Sequence, residues 1–222
     1  MKALIITGGE CPPSGLIRRL AERASLIIAA DSGFDSARKA GIEPDLIVGD
    51  FDSVEDKAAL AAFPVSKIIK FPMDKDDTDT EIAVSTATAR GADYLMIAGG
   101  GGGRLDHLLA MSCLFDRGET APREWHTSRE SVYYIRQGEL ARFTLGQDSI
   151  VSVFPVGALE GCRGMTSSGL KWPLEGLNWP SGYFGISNRA LGGNAEILAG
   201  SSDLLVILPA GSECFFQDGK AF

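Results

Sequence analysis

The sequence is poor in the residues that build zinc sites and disulfide frameworks. Its 222 residues include only two histidines and four cysteines, and the cysteines, Cys11, Cys113, Cys162 and Cys214, are widely spaced with no CxxC pair. A zinc site or a set of structural disulfides is therefore not expected. Scattered thiols instead fit a reducing compartment, and the expected location is the cytoplasm.

Long hydrophobic runs are also missing. No apolar run approaches the roughly 20 residues that a membrane-spanning helix needs, so no membrane association is expected. The apolar start, Met1 to Ile6, is interrupted by Thr7, Gly8 and Gly9 before the core of a signal peptide would be complete. This start is predicted to be the first β-strand.

An excess of positive charge is lacking as well. The chain has 21 Lys and Arg against 29 Asp and Glu, which gives a net charge of −8. Proteins that bind nucleic acid use clustered Lys and Arg side chains, so nucleic acid is not an expected partner. The acidic surface favours solubility, and a polyanionic ligand would need a metal cation to offset the charge.

The first half of the chain alternates short β-rich runs with segments of helical composition. This alternation predicts an α/β domain with a mainly parallel, Rossmann-like sheet, over residues 1–120. The best-defined helix is predicted to begin after Thr78, because Thr78 and Glu81 have the spacing of a capping box, and to end before Gly91. The predicted strands are Lys2 to Ile6, Leu26 to Ala30, Leu46 to Val48, Lys67 to Phe71 and Tyr94 to Ala98.

The pattern changes after about Glu119, where helical periodicity gives way to short β-like runs separated by glycine and proline. These runs predict a second, all-β sandwich domain over residues 121–222. The predicted strands are Ser131 to Arg136, Glu139 to Leu145, Ile150 to Val156, Glu196 to Leu198 and Leu204 to Leu208.

Aspartates follow several of the predicted strands of the first domain. In an open parallel sheet, the loops after the strands share one edge, where such folds bind ligands. Two carboxylates 4 Å apart repel by about 4 kcal/mol at an effective dielectric near 20, so a cluster needs raised pKa values or a hard cation such as Mg²⁺. The alternative is that each aspartate only caps a helix or turn. The aspartates concerned are Asp31, Asp50, Asp52, Asp74, Asp76, Asp79 and Asp106.

A run of glycines, Gly99 to Gly103, lies between a predicted strand and a helix that begins near Arg104. Glycines at a helix N-terminus let backbone N–H groups approach phosphate oxygens. The run fits neither the P-loop pattern nor the dinucleotide-binding pattern, and flexible turn filler is the alternative reading. On the helix, Arg104, His107 and Met111 share one face. Leu105, Leu108, Leu109 and Phe115 are predicted to face the core.

In chain order, the motifs resemble those of the thiamine pyrophosphokinase family. In the first domain they are Ala30-Asp31-Ser32-Gly33, Pro44 to Ser53 (PDLIVGDFDS), Asp74 to Asp79 (DKDDTD) and Gly102 to His107 (GGRLDH). In the second they are Gly169 to Leu174 (GLKWPL) and Ser187-Asn188. The family commonly has a glycine at the position of Ser32 and an asparagine at that of Met111.

The resemblance implies a homodimer with active sites between subunits, and the reaction of ATP with thiamine to give thiamine pyrophosphate and AMP. It implies Mg²⁺ held by Asp50, Asp52, Asp74 and Asp76, and Asp79 orienting the site. The nucleotide site would comprise Asp31, Lys75, Thr78, Gly101, Gly102, Gly103, Arg104 and His107. Asp76 or Asp106 would accept the hydroxyl proton. Lys171, Trp172, Ser187 and Asn188 would bind thiamine, with Trp172 on a loop.

Two alternatives stay open at this point. A related pyrophosphokinase acting on a pterin alcohol would share the ATP machinery and differ in the second domain. A nucleotide or thiamine-phosphate sensor would bind without turnover, and the full set of aspartates disfavours it.

Overall fold

The computed structural model describes residues 1–72, 74 and 76–217, and it divides the chain into two compact units. The first unit is Met1–Arg129 and the second begins at Glu130. The predicted division after residue 120 falls earlier than this one. The reason is a short strand, Glu124–His126, that pairs with the parallel sheet of the first unit and was not predicted.

Among the described residues of the first unit, six parallel strands form a sheet in the order β6-β5-β1-β2-β3-β4. Neighbouring residues of β1 point to opposite faces of the sheet, and both faces are apolar: Ile5 packs in one cluster with Ile82, and Leu4 packs in another with Ile17. The strands are β1 (Lys2–Ile6), β2 (Leu26–Ala30), β3 (Leu46–Gly49), β4 (Ile68–Lys70), β5 (Tyr94–Ala98) and β6 (Glu124–His126).

The described residues of this unit form five α-helices. They are α1 (Ser14–Arg23), α2 (Gly33–Lys39), α3 (Lys57–Ala62), α4 (Asp79–Ala89) and α5 (Leu105–Cys113). The predicted capping box of α4 is present: the Glu81 N–H donates to Thr78 Oγ1 at 3.2 Å, and the Thr78 N–H donates to Glu81 Oε2 at 2.8 Å. No helix in the part of the chain that the structure describes is long and apolar enough to cross a membrane.

The second unit consists of antiparallel strands. One set has the order β13-β9-β15-β7, another has the order β11-β14-β8-β16, and β10 pairs with β12. Tyr133 and Val206 from the first set share an apolar cluster with Phe143 and Ile197 from the second. The strands are β7 (Glu130–Ile135), β8 (Leu140–Leu145), β9 (Ile150–Val156), β10 (Cys162–Arg163), β11 (Thr166–Ser168), β12 (Asn178–Trp179), β13 (Gly185–Arg189), β14 (Gly193–Leu198), β15 (Asp203–Pro209) and β16 (Glu213–Gln217).

Candidate active site

Three aspartates meet at the carboxyl edge of the parallel sheet. Asp31 follows β2, while Asp50 and Asp52 follow β3, and one carboxylate oxygen from each lies within 4.8 Å of the others. Adjacent parallel strands end side by side, so two loops that are distant in sequence bring their carboxylates together. The three form the acidic group of the site.

The backbone on either side of Phe51 arranges two of these aspartates. Phe51 has a φ of 67°, and its ring is buried against Phe34 and Val54. A left-handed conformation is costly for an aromatic residue, and burial of the ring offsets part of that cost. The loop is also held by Lys57, whose ammonium donates to the carbonyls of Phe51 and, at 3.1 Å, Asp52.

The acidic group fits a hard divalent cation. Asp31 Oδ1 is buried and has no hydrogen-bond partner among the described residues, while Asp31 Oδ2 accepts a hydrogen bond from the Ser53 hydroxyl. A buried carboxylate oxygen without a partner costs free energy unless a cation or water completes it. Oxygen ligands grouped in this way suit Mg²⁺. Asp31, which the sequence placed in the aspartate cluster and the resemblance assigned to the nucleotide site, therefore joins Asp50 and Asp52 as a candidate ligand.

The other acidic motif residues are placed differently. Asp74 and Asp76 are exposed and do not belong to the group of three. Asp79 starts α4 beside β3, with its Oδ1 3.1 Å from where a Cβ on Gly49 would lie. The Thr78 hydroxyl caps α4, and Lys75 lies outside the described residues.

The glycine run packs closely against the loop that follows β1. The Gly100 N–H donates to Gly8 O at 2.6 Å, and the Glu10 N–H donates to Gly101 O at 2.7 Å. A Cβ on Gly101 would lie 2.8 Å from the Thr127 Cβ, which is too close for any larger residue. Gly103, in contrast, has open space around it. Internal packing thus explains much of the run, and its end is the part open to a ligand.

Arg104 and Asp106 form an ion pair at the start of α5. The Arg104 Nε–H donates to Asp106 Oδ1 at 3.1 Å and the Nη2–H donates to Oδ2, and both side chains are exposed. The hydrogen bond from Arg104 lowers the pKa of the Asp106 carboxyl and raises that of the guanidinium. A carboxylate with a lowered pKa is a weaker proton acceptor, so Asp106 is better suited to orienting Arg104. His107 is also exposed in this turn.

The predicted orientation of α5 is wrong for Leu105, Leu109 and Met111, whereas Phe115 is buried as predicted. Leu105 and Leu109 are 69% and 57% exposed, whereas Met111 is buried at 5% and lies near 3.2 Å from the position of a Cβ on Gly100. Met111 therefore packs under the glycine run, and no ligand contact is expected of it. Ser32, the other departure from the family pattern, precedes α2 and lies against Gly8. A residue larger than glycine at position 8 would clash with the Ser32 hydroxyl.

In the second unit, Trp172 lies in the loop between β11 and β12 and is 53% exposed, as predicted. Its backbone is held by the side-chain amide of Asn188, which accepts from the Trp172 N–H at 3.1 Å and donates to its carbonyl at 2.6 Å. The Lys171 ammonium lies 4.8 Å from the centre of the Trp172 ring. Ser187 has a left-handed φ of 61°, and its N–H donates to Ser152 Oγ. Asn188 thus positions Trp172.

Sequence reasoning missed two residues that hold the site. Lys57 lies on a helix whose composition gave no sign of a link to the acidic loop. Glu10 follows the first strand, and its carboxylate accepts a hydrogen bond from Ser128 at 2.6 Å beside the glycine run. The Glu10 contact joins segments that are distant in sequence, and the Lys57 contacts depend on how the acidic loop turns, so neither follows from a helix or strand pattern.

Comparison with known proteins gives a consistent result. Residues 17–117 match the family model described as thiamin pyrophosphokinase, catalytic domain. The curated thiamine pyrophosphokinase of Bacillus subtilis is 29% identical over 189 residues, which cover 79% of this chain and 83% of that protein.

Solved structures agree with these matches. The crystal structure of thiamine pyrophosphokinase from Bacillus subtilis has a TM-score of 0.77 at 24% identity and covers 95% of this chain and 100% of its own. The crystal structure of thiamin pyrophosphokinase from Geobacillus thermodenitrificans has a TM-score of 0.74 at 25% identity, and the match covers 97% of this chain and 100% of that one. The resemblance carried by the motifs is confirmed.

Proposed function

We infer that this chain is a thiamine pyrophosphokinase, because the family match, the curated relative and the similar structures agree with its ordered motifs. The observation that carries the inference is the acidic group of Asp31, Asp50 and Asp52, which lies at the ligand-binding edge of the sheet in the matched region. The proposed reaction transfers the β,γ-pyrophosphoryl group of ATP to the hydroxyl of thiamine, giving thiamine pyrophosphate and AMP.

We assign the nucleotide to the first unit, as a Rossmann-like domain. A divalent cation, proposed to be Mg²⁺, would be held by Asp31, Asp50 and Asp52 and would neutralise charge on the ATP phosphates. The open end of the glycine run, Gly103, offers its backbone N–H group to phosphate oxygens, whereas Gly102 packs against the Glu10 side chain. Arg104, oriented by Asp106, offers a planar fork of donors to the same group. Positioning and charge stabilisation of this kind supply most of the catalysis in phosphoryl transfer.

In the proposed step, the thiamine hydroxyl oxygen forms a bond to the β-phosphorus. The bond from that phosphorus to the oxygen bridging the α- and β-phosphates breaks, and AMP leaves with this oxygen. The hydroxyl proton passes to a carboxylate. Asp76 is the better candidate of the two predicted, since Asp106 is engaged by Arg104 and its pKa is lowered.

We assign thiamine to the second unit, as a β-sandwich domain. The exposed ring of Trp172 offers a flat surface for stacking, and aromatic stacking or cation–π attraction contributes roughly 0.5 to 2 kcal/mol. Lys171 already covers one face of the ring, so thiamine would use the other. Ser187 remains the candidate for a hydrogen bond to the pyrimidine.

We further propose a homodimer in which Trp172 of one chain faces the aspartates of the partner chain. The proposed location is the cytoplasm, where the four free cysteines stay reduced.

The deciding experiment is an assay for AMP. The protein is mixed with ATP and Mg²⁺ and with either thiamine or a pterin alcohol. AMP that forms with thiamine alone supports the proposal, and AMP that forms only with the pterin alcohol favours the related pyrophosphokinase. Binding of ATP without AMP in either mixture would favour a sensor.

A further inference from the structure

Trp125 lies in β6, beyond the end of the family match at residue 117. Its indole Nε1–H donates a hydrogen bond to the carbonyl of Gly99 at 2.7 Å. The Gly99 N–H in turn donates to the carbonyl of His126 at 2.9 Å. Both backbone polar groups of Gly99, the first residue of the glycine run, are therefore held by β6.

The same indole ring reaches the far end of the segment. The ring centres of Trp125 and Phe115 are 6.4 Å apart and tilted by 37°. Phe115 is buried and follows shortly after α5. Gly99 and Phe115 lie at the two ends of the segment that contains the glycine run, Arg104 and α5. One half-buried side chain therefore contacts both ends of the proposed phosphate-binding segment.

The indole hydrogen bond acts on a residue whose backbone conformation requires glycine. Gly99 has a φ of 110°, and a Cβ there would overlap the Thr7 carbonyl oxygen, so only glycine fits. Its carbonyl belongs to the same peptide group as the Gly100 N–H, which donates to Gly8 O. The indole thus helps to fix the first peptide plane of the run, and the orientation of later N–H groups depends on that plane.

We propose that Trp125 is a positioning residue for the triphosphate of ATP. The proposal rests on the function inferred above. Trp125 acts through the glycine run and Arg104 and touches no substrate itself. Loss of a single neutral hydrogen bond changes an equilibrium by roughly two- to tenfold.

The test removes the indole N–H and keeps the ring. Trp125→Phe is one variant, and a second carries 3-benzothienylalanine at position 125, in which sulfur replaces the N–H in a ring of nearly the same shape. In both, the KM for ATP and the Kd for Mg²⁺-ATP measured by calorimetry without thiamine should rise about fivefold. The KM for thiamine and the turnover at saturating ATP should stay within twofold. Trp179→Phe, in the second unit, is the matched control and should leave ATP binding unchanged.

The outcomes separate this proposal from the proposed function. A wild-type protein that binds Mg²⁺-ATP but makes no AMP from thiamine would contradict the function, and the calorimetry would still test Trp125. A folded benzothienyl variant with wild-type affinity for Mg²⁺-ATP would overturn the positioning role, even if Trp125→Phe failed to fold. An equal rise in both KM values would also overturn it, since a general structural role predicts that result.

Discussion

Glu124 and His126 form a buried pair on β6, with His126 Nε2 2.9 Å from Glu124 Oε2. Arg23 forms an ion pair with the same carboxylate, and the Tyr94 hydroxyl donates to it at 2.5 Å. Burial raises the pKa of Glu124, but the hydrogen bonds from His126 and Arg23 have a larger and opposite effect. The pKa of Glu124 is therefore lowered from 4.5 to about 2. The network anchors the strand that also carries Trp125.

This network predicts the acid stability of the protein. Because the pKa of Glu124 is lower in the folded state, its contribution to stability is complete above about pH 4.5 and is lost as the pH falls towards 2. A shift of this size corresponds to a contribution on the order of 3 kcal/mol. Urea unfolding at a series of pH values should show the free energy of unfolding falling across this window.

Glu124→Gln should lower the free energy of unfolding at neutral pH by about 3 kcal/mol, because it leaves the buried His126 and the partly exposed Arg23 without their carboxylate. It should also flatten the loss of stability between pH 4.5 and 2. Glu160→Gln, at an exposed position, is the control and should do neither. A Glu124→Gln variant with the wild-type pH dependence would contradict the role given to this residue.

The acidic group predicts a separation between folding and turnover. Asp52→Asn should lower turnover by at least about a hundredfold, because charge stabilisation of the phosphates is lost. The melting temperature without metal should not fall, because the carboxylates of Asp31, Asp50 and Asp52 repel one another. Binding of Mn²⁺, followed by electron paramagnetic resonance, should weaken in parallel with turnover.

Asp116→Asn, an exposed change in the same unit, is the matched control for Asp52→Asn. The Mn²⁺ measurement also compares the ligand set found in the structure, which includes Asp31, with the set predicted from the sequence, which includes Asp74 instead. Weaker binding in Asp31→Asn than in Asp74→Asn would support the group found in the structure. The reverse order would favour the set predicted from the sequence.

The ion pair at the start of α5 predicts which substrate depends on Arg104. Arg104→Ala should raise the KM for ATP about tenfold or more and change the KM for thiamine less than twofold, because the guanidinium is assigned to phosphate. Steady-state rates with each substrate varied in turn give both constants. Arg142→Ala, which removes an exposed and ion-paired arginine of the second unit, is the control. Unchanged constants for ATP would mean that Arg104 is not a phosphate ligand.

Asp106→Asn tests whether Asp106 orients Arg104 or accepts the hydroxyl proton. If Asp106 orients Arg104, the variant should raise the KM for ATP modestly, about threefold, and leave the pH dependence of turnover unchanged. The pH profile of turnover at saturating substrates is the measurement. Disappearance of the acid limb of that profile would instead identify Asp106 as the proton acceptor.

The exposed tryptophan predicts a selective loss of thiamine affinity. Trp172→Ala should raise the KM for thiamine about tenfold and leave that for ATP nearly unchanged, because stacking on one ring contributes roughly 0.5 to 2 kcal/mol. The fold should survive, since about half of the side chain is already in solvent. Phe215→Ala, an exposed aromatic change on β16, is the control. A folded Trp172→Ala variant with wild-type affinity for thiamine would remove this residue from the site.

Asn188 can be tested beside Trp172. Asn188→Ala should raise the KM for thiamine by a similar factor, because its amide holds the Trp172 backbone on both sides. Combined with Trp172→Ala it should add little further, since the two residues act as one unit. Full additivity of the two changes in the double variant would show that Asn188 contacts thiamine independently.

The sequence by itself determined the elements whose signals are local. The spacing of Thr78 and Glu81 predicted the start of α4, and short β-rich runs located strands such as β2 and β9. Motif order was enough to indicate the resemblance to thiamine pyrophosphokinases, and the rule that parallel strands end at one edge was enough to predict Asp31 near Asp50 and Asp52. These features depend on short stretches of chain or on one general rule of topology.

Tertiary structure decided what depends on contacts between distant segments. β6 is only three residues long and forms because β5 offers it an edge, so its own composition could not reveal it. Of the aspartates that the sequence grouped, Asp31, Asp50 and Asp52 lie together because β2 and β3 are neighbours. Met111 turns inward because Gly100, without a Cβ, leaves space for it. Asn188, on β13, holds the backbone of Trp172, which lies sixteen residues earlier in the chain. Each of these outcomes depends on which segments pack together, and local sequence does not contain that information.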